Sequence, residues 1–270
     1  MRIAAFFLVS VLMTVPALQA GVIVSTNLGL TSLTISPSTG SLEILSPVTA
    51  SAFVSVFDSL GGAGSDFETV NDDAITATAA TALANGNGAA SATALTASAS
   101  SGVTIPGLDA EAGTNASGPY GSLAGTFQIT DPNGGVNPVS VDFAALFTGS
   151  QSLFTDAQGI SAASEVIFQL NLPDIGAAPF LFLDNPLSIG SNQALSNDIN
   201  QTLTATAALT TNTPYSFYIE VDAESTGADS APSVPEPSSR RLIAAGMIVL
   251  FALCSLRRLR EGRALRVSTR

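Results

Sequence analysis

The chain contains no histidine, no lysine and no tryptophan, and its only cysteine is Cys254. Each absence closes a class of chemistry. Without histidine there is no Ser-His-Asp or Cys-His relay, and the commonest metal ligand is missing. Without lysine there is no Schiff base, no Ser-Lys pair and no phosphate loop of the Gly-x-x-x-x-Gly-Lys kind. A single cysteine, itself inside an apolar run, leaves the preceding region without disulfides or thiolate chemistry. Three tyrosines and no tryptophan leave few flat aromatic platforms for a sugar. What survives is carboxylate chemistry of the two-acid kind used by glycosidases. The many acids form many pairs, however, and the sequence singles out none. The chain reads as a non-enzyme.

Positive charge is the next scarcity. All nine basic residues are arginine: Arg2, and eight at or beyond Arg240. The segment 21–239 has none and carries twenty acids, a formal charge of −20. Such a surface repels nucleic acid and anionic lipid headgroups and argues against both as partners. Solubility through self-repulsion is one account of the charge, and a surface that gathers divalent cations is the other. Two clusters carry the second account. Asp66, Glu68, Asp72 and Asp73 lie in a loop-like stretch beside Gly61, Gly62 and Gly64, and Asp131-Pro132-Asn133-Gly134-Gly135 places oxygen ligands before a tight turn. Oxygen-rich loops suit Ca²⁺, although neither stretch completes an EF-hand. Ca²⁺ is the one cofactor left open, with ordinary solvated loops as the alternative.

What is present in quantity is alternation at period two in Val, Ile, Thr, Phe and Ala. Short strands are predicted over 22–27 and 30–35, and a longer one over 48–57. Segments 74–84 and 89–100 alternate Ala with Thr and Ser around Asn85-Gly86-Asn87-Gly88. Asn-Gly favours the positive φ of a tight hairpin, so the pair reads as one hairpin, with two alanine-rich helices as the alternative. Further strands are predicted over 122–130, 139–147, 165–172, 180–183, 199–209 and 214–223. Val141, Phe143, Ala145 and Phe147 share a face, as do Val166, Phe168, Leu170 and Leu172. Phe217, Ile219 and Val221 oppose Tyr218, Glu220 and Asp222. Many short strands between Gly, Pro and Asn predict an all-β fold, a β-sandwich of jelly-roll-like form, over 21–224. A small polar stretch, 225–233, reads as a flexible linker.

The two ends read as addresses. Met1-Arg2, the apolar 3–15 and Pro16-Ala17-Leu18-Gln19-Ala20 form a signal peptide, 1–20, cut after Ala20 or, alternatively, after Ala17. Near the other end, 242–256 is a fifteen-residue run without charge. As a helix it spans about 22 Å, short of the roughly 30 Å hydrocarbon core, a gap that flanking arginines close by snorkelling. A buried core helix is the alternative. Six arginines follow the run and two precede it, so the basic tail 261–270 is expected on the cytoplasmic side.

The order Val234-Pro235-Glu236-Pro237, apolar helix, then Arg257, Arg258 and Arg260 resembles the PEP-CTERM sorting signal of Gram-negative bacteria, over 234–260. The resemblance implies recognition by exosortase, with Pro235, Glu236 and Pro237 read by that membrane peptidase. It further implies signal peptidase, exosortase and extracellular polysaccharide as partners. The location implied is the inner membrane during sorting, then the cell surface or extracellular matrix. The expected role is structural or adhesive; the alternative is a calcium-dependent glycan-binding module.

Overall fold

The computed structural model describes residues 20–106, 112–116, 120–156 and 159–229. They form thirteen strands: β1 (Ala20–Pro37), β2 (Ser41–Asp58), β3 (Ala63–Asn71), β4 (Ala74–Ala80), β5 (Ala84–Ser91), β6 (Thr96–Pro106), β7 (Ala112–Ala116), β8 (Tyr120–Thr130), β9 (Pro138–Thr155), β10 (Gly159–Leu172), β11 (Ala177–Gly190), β12 (Gln193–Thr210) and β13 (Pro214–Asp229). Among the described residues the one helical turn, Pro173–Ile175, ends at Gly176 with φ of 80°. Among the described residues no helix is long and apolar enough to cross a membrane. The proposed signal peptide, the sorting motif, the 242–256 helix and the basic tail lie outside the described residues, apart from Ala20, which opens β1.

The strands build two antiparallel sheets. Sheet one runs β12-β9-β1-β6-β5-β4; sheet two runs β11-β10-β13-β7-β2-β3, with β8 also pairing β13 and β2. The all-β sandwich expected from the sequence is therefore present. Its strand order, in sheets of six and seven, shows no jelly roll, which uses eight strands.

Alternation places the core. Val141, Phe143, Ala145 and Phe147 of β9 are all buried, as are Val166, Phe168, Leu170 and Leu172 of β10 and Phe217, Ile219 and Val221 of β13. Phe127 and Phe143 meet edge-on at 6.1 Å between centroids, and Phe147 and Phe168 lie 4.3 Å apart across the sheets. Each such ring or branched side chain contributes about 1.5–3 kcal/mol by leaving water.

A polar belt divides this core. Going along β1, Val22 and Val24 belong to one apolar cluster and Leu28 and Leu30 to the other, with Thr26 between them. Ser101, Gln151, Ser164 and Ser225 take the same level on β6, β9, β10 and β13, and all are buried. The hydroxyl of Thr26 bonds those of Ser164 (2.7 Å) and Ser225 (2.8 Å), Ser225 bonds Ser101 (2.7 Å), and Gln151 Nε2 donates to Ser164 Oγ at 3.0 Å. A buried hydroxyl left unmatched costs about 1–3 kcal/mol, so this belt fixes the register of five strands at once.

Three expectations are corrected. The predicted strands 22–27 and 30–35 are one eighteen-residue strand, β1. Asn85-Gly86-Asn87-Gly88 is not a turn but the middle of β5; the turns lie on either side of it, at 81–83 and 92–95. Gly88 serves close approach instead. A Cβ on Gly88 would fall 2.4 Å from the Tyr120 carbonyl oxygen, and one on Gly121 of β8 1.9 Å from that of Ala89. The sheets nearly touch here, which accounts for the small residues of β4–β6. Finally, the linker expected from 225 begins later: 225–229 continue β13, with Ser225 0% and Asp229 1% exposed. Small polar residues read as linker because their partners, the belt hydroxyls, lie far away in sequence.

Candidate functional face

The carboxylates expected to gather Ca²⁺ are dispersed. Asp66 and Glu68 lie within β3 rather than in a loop. Asp66 Oδ2 accepts the Thr78 N–H at 3.0 Å and so ties β3 of one sheet to β4 of the other. Asp72, with a φ of 55°, accepts the Ser46 hydroxyl at 2.7 Å and the Val48 N–H at 2.8 Å, which in that order hold its pKa below the usual value. Asp73 accepts the Ala74 N–H at 2.8 Å. In the second cluster, Asp131 accepts the Asn133 N–H at 2.8 Å and the Asn137 amide at 3.2 Å. These carboxylates are turn and edge fasteners. Among the described residues no group of three acids, histidines or cysteines could hold a metal ion. The sorting residues Val234, Pro235, Glu236 and Pro237, and Arg257, Arg258 and Arg260, lie outside the described residues.

Functional groups converge instead on the outer face of sheet two. Directly opposed residues there form a row across six strands. Phe67 of β3 faces Phe53 of β2, Phe53 faces Tyr120 of β8, and Tyr120 faces Asp222 of β13. Asp222 then faces Ile167 of β10, and Ile167 faces Asp184 of β11. Five gaps of about 4.8 Å make the row about 24 Å long. Its first half is aromatic. The rings of Phe53 and Tyr120 lie 5.5 Å apart, tilted by 34°, and Phe67 is 58% exposed. Phe57, farther along β2 on the same face, is also exposed.

Its second half is acidic. Glu220, Asp222 and Glu224 alternate along β13, and Glu165 of β10 stands opposite Glu224. Glu220 Oε2 accepts the Tyr218 hydroxyl and, at 3.2 Å, the Gln169 amide. Asp222 Oδ1 is buried without a hydrogen-bond partner. Burial, then the charges of Glu224, Glu220 and Glu165, push the Asp222 pKa up to about 7, against the Ala223 N–H. Glu165 is raised by burial, then by Asp184 and Glu224. Burial and Glu220 likewise raise the Tyr218 and Tyr120 hydroxyls. A cleft of about 350 Å³ continues the acidic half between Glu165, Glu224, Pro186, Ser188 and Thr226. No lysine, arginine or histidine occurs among the described residues to answer these charges. Chemically the face offers flat apolar rings beside hydrogen-bond acceptors, with no positively charged side chain among the described residues to neutralise them.

The chain matches no family model, no curated protein and no solved structure. The alternation along β13 places Tyr218, Glu220 and Asp222 on one face, whereas nothing local in the sequence marks Phe53, Phe67, Tyr120, Glu165 or Asp184. The signal for them, aromatic and acidic residues at outward positions of separate strands, becomes a site only through cross-strand register.

Proposed function

We propose that this is an exported surface or extracellular-matrix protein with a structural or adhesive role, which holds extracellular polysaccharide on the outer face of sheet two. The observation that carries this reading is the cross-strand row from Phe67 to Asp184, aromatic at one end and acidic at the other. Sugar rings offer flat C–H faces to aromatic side chains and hydroxyls to carboxylate acceptors, and an open sheet face admits a polymer longer than itself. In the same proposal the signal peptide exports the chain, and exosortase reads Val234–Pro237 before the basic cluster. The absence of basic residues from 21 to 239 supports a life among neutral or cationic polymers rather than nucleic acid or anionic lipid. The test is co-sedimentation of the full chain with neutral, acidic and amine-bearing polysaccharides, with Phe67→Ser and Phe53→Ser as variants. Binding to at least one polysaccharide that both variants weaken supports the proposal. Binding to none, or binding that neither variant changes, overturns it.

A further inference from the structure

Two sheets of a sandwich have four edge strands, here β4 and β12 of sheet one and β3 and β11 of sheet two. An edge strand offers unpaired N–H and C=O groups to any extended chain, and proteins blunt such edges with short strands, prolines, charges or covers. Three of the four edges carry such devices. β4 has only seven residues, and Asp66 of β3 caps its Thr78 N–H at 3.0 Å. β3 has nine residues and carries Asp66 and Glu68. β11 carries Pro179 and Pro186, neither of which has an N–H to offer.

Among the described residues β12 is the least protected of the four. It is eighteen residues long, contains no proline, carries Asp198 as its only charge, and pairs with β9 over its whole length without a bulge. Its outward Thr202, Thr204 and Thr206 are exposed. The prolines and carboxylates of the other three edges contrast with an edge left straight, long and nearly uncharged.

We propose that β12 is a self-association edge, at which two copies of this chain pair antiparallel about Thr204 and join two six-stranded sheets into one of twelve strands. The register follows from the side chains. Directly opposed residues in a sheet share a face, so a two-fold axis that keeps both outer faces outward must pass through a residue rather than between two. Centred on Thr204, Thr202 meets the second copy's Thr206, a favourable cross-strand pair. On the inner face Leu203 meets Ala205 and Ile199 meets Leu209, which keeps apolar residues together. Asp198 meets Thr210, so the two Asp198 carboxylates stand about 40 Å apart, far beyond the roughly 8 Å Debye length at physiological salt. The only repulsion is the diffuse acidity of the two domains, so the dimer tightens as salt rises, opposite to an ion-paired interface. The dimer carries two polysaccharide-binding faces, and its existence does not depend on that reading of the face.

The test uses the full chain in mild detergent with Cys254→Ser, which removes the only native thiol. Opposed Cα atoms in an antiparallel pair lie about 4.5–5.5 Å apart, within the span a disulfide requires. Thr204→Cys is therefore expected to form a disulfide-linked dimer on mild oxidation, and Ser196→Cys is not. Sedimentation equilibrium is expected to show a dimer that Thr204→Lys weakens by about tenfold or more through like charges directly opposed, as does Thr204→Asp. Mixing the lysine and aspartate variants restores dimerisation. A chain that stays monomeric across the concentration series overturns the proposal. So does a dimer that ignores Thr204→Lys and is not captured by Thr204→Cys. The three substitutions at Thr204 fall on an exposed position, and the circular dichroism of each variant checks that the strands remain.

Discussion

Asp222→Asn isolates the electrostatic cost of the acidic half of the face. In the folded protein Asp222 has a pKa of about 7, whereas in the unfolded chain an aspartate ionises near its ordinary value of 3.8. Between those values the folded state keeps a proton that the unfolded state has released. Stability therefore falls as pH rises through this window and levels off above about pH 7. Each pH unit of difference is worth about 1.4 kcal/mol, so the loss reaches about 4 kcal/mol at most. Asp58 and Asp72 act with the opposite sign. Hydrogen bonds, led by the Gly62 N–H for Asp58 and the Ser46 hydroxyl for Asp72, hold their pKa values down, so their contribution is present above about pH 4 and is lost on acidification. Stability should peak near pH 4–5, below the usual range for soluble domains of about pH 5–8. Asparagine copies the shape of the protonated acid without its charge. The variant should match the parent at pH 4 and exceed it at pH 8. At about 2–4 °C per kcal/mol, the gain is about 10 °C in melting temperature. Calorimetric melts from pH 4 to 8 provide the assay. Glu165, raised by burial and then by Asp184 and Glu224, leaves a shallower slope of the same sign in the variant. Equal slopes in parent and variant would refute the reasoning, because the ionisation of Asp222 would then cost the fold nothing.

Other substitutions test the packing. Gly121→Ala places a methyl group 1.9 Å from the backbone oxygen of Ala89, which cannot swing aside, and should destabilise by about 3 kcal/mol or more in urea denaturation; Gly190→Ala, with nothing within 4 Å, should leave the midpoint unchanged. Ser225→Ala removes the one hydroxyl that joins Thr26 and Ser101 across the sheets, at an expected cost of about 1–3 kcal/mol by the same measurement. Phe67→Ser, at a ring 58% exposed, should weaken polysaccharide binding by about tenfold and move the melting temperature by less than about 2 °C, so that a large stability loss would assign the ring to packing.

Local rules carried far along this chain. Period-two alternation identified the buried faces of β9, β10 and β13 residue by residue, because large apolar side chains at every second position have one stable place to go. The rules failed where a residue's reason lies on another strand. Gly88 looks like a turn residue until β8 is laid over it, and only the Tyr120 carbonyl reveals that the need is for space. Ser225 looks like linker until Thr26 and Ser101 arrive from β1 and β6. Asp66, Asp72 and Asp73 look like cation ligands until backbone N–H groups of Thr78, Val48 and Ala74 claim them. The candidate face was half legible. Tyr218, Glu220 and Asp222 are two residues apart on one strand, whereas Phe53, Tyr120 and Asp184 join them only through register, which no window of sequence contains.

Retention in the native matrix tests the central claim most directly. The measurement is the fraction of mature protein held in the extracellular polysaccharide, against that shed to the medium, for the parent and for Phe53→Ser with Phe67→Ser in cells that export both equally. The account predicts that the parent is retained and that the doubly substituted protein passes, folded, into the medium. Equal retention of the two would contradict it, and the outer face of sheet two would then be a solubilising surface with no polymer upon it.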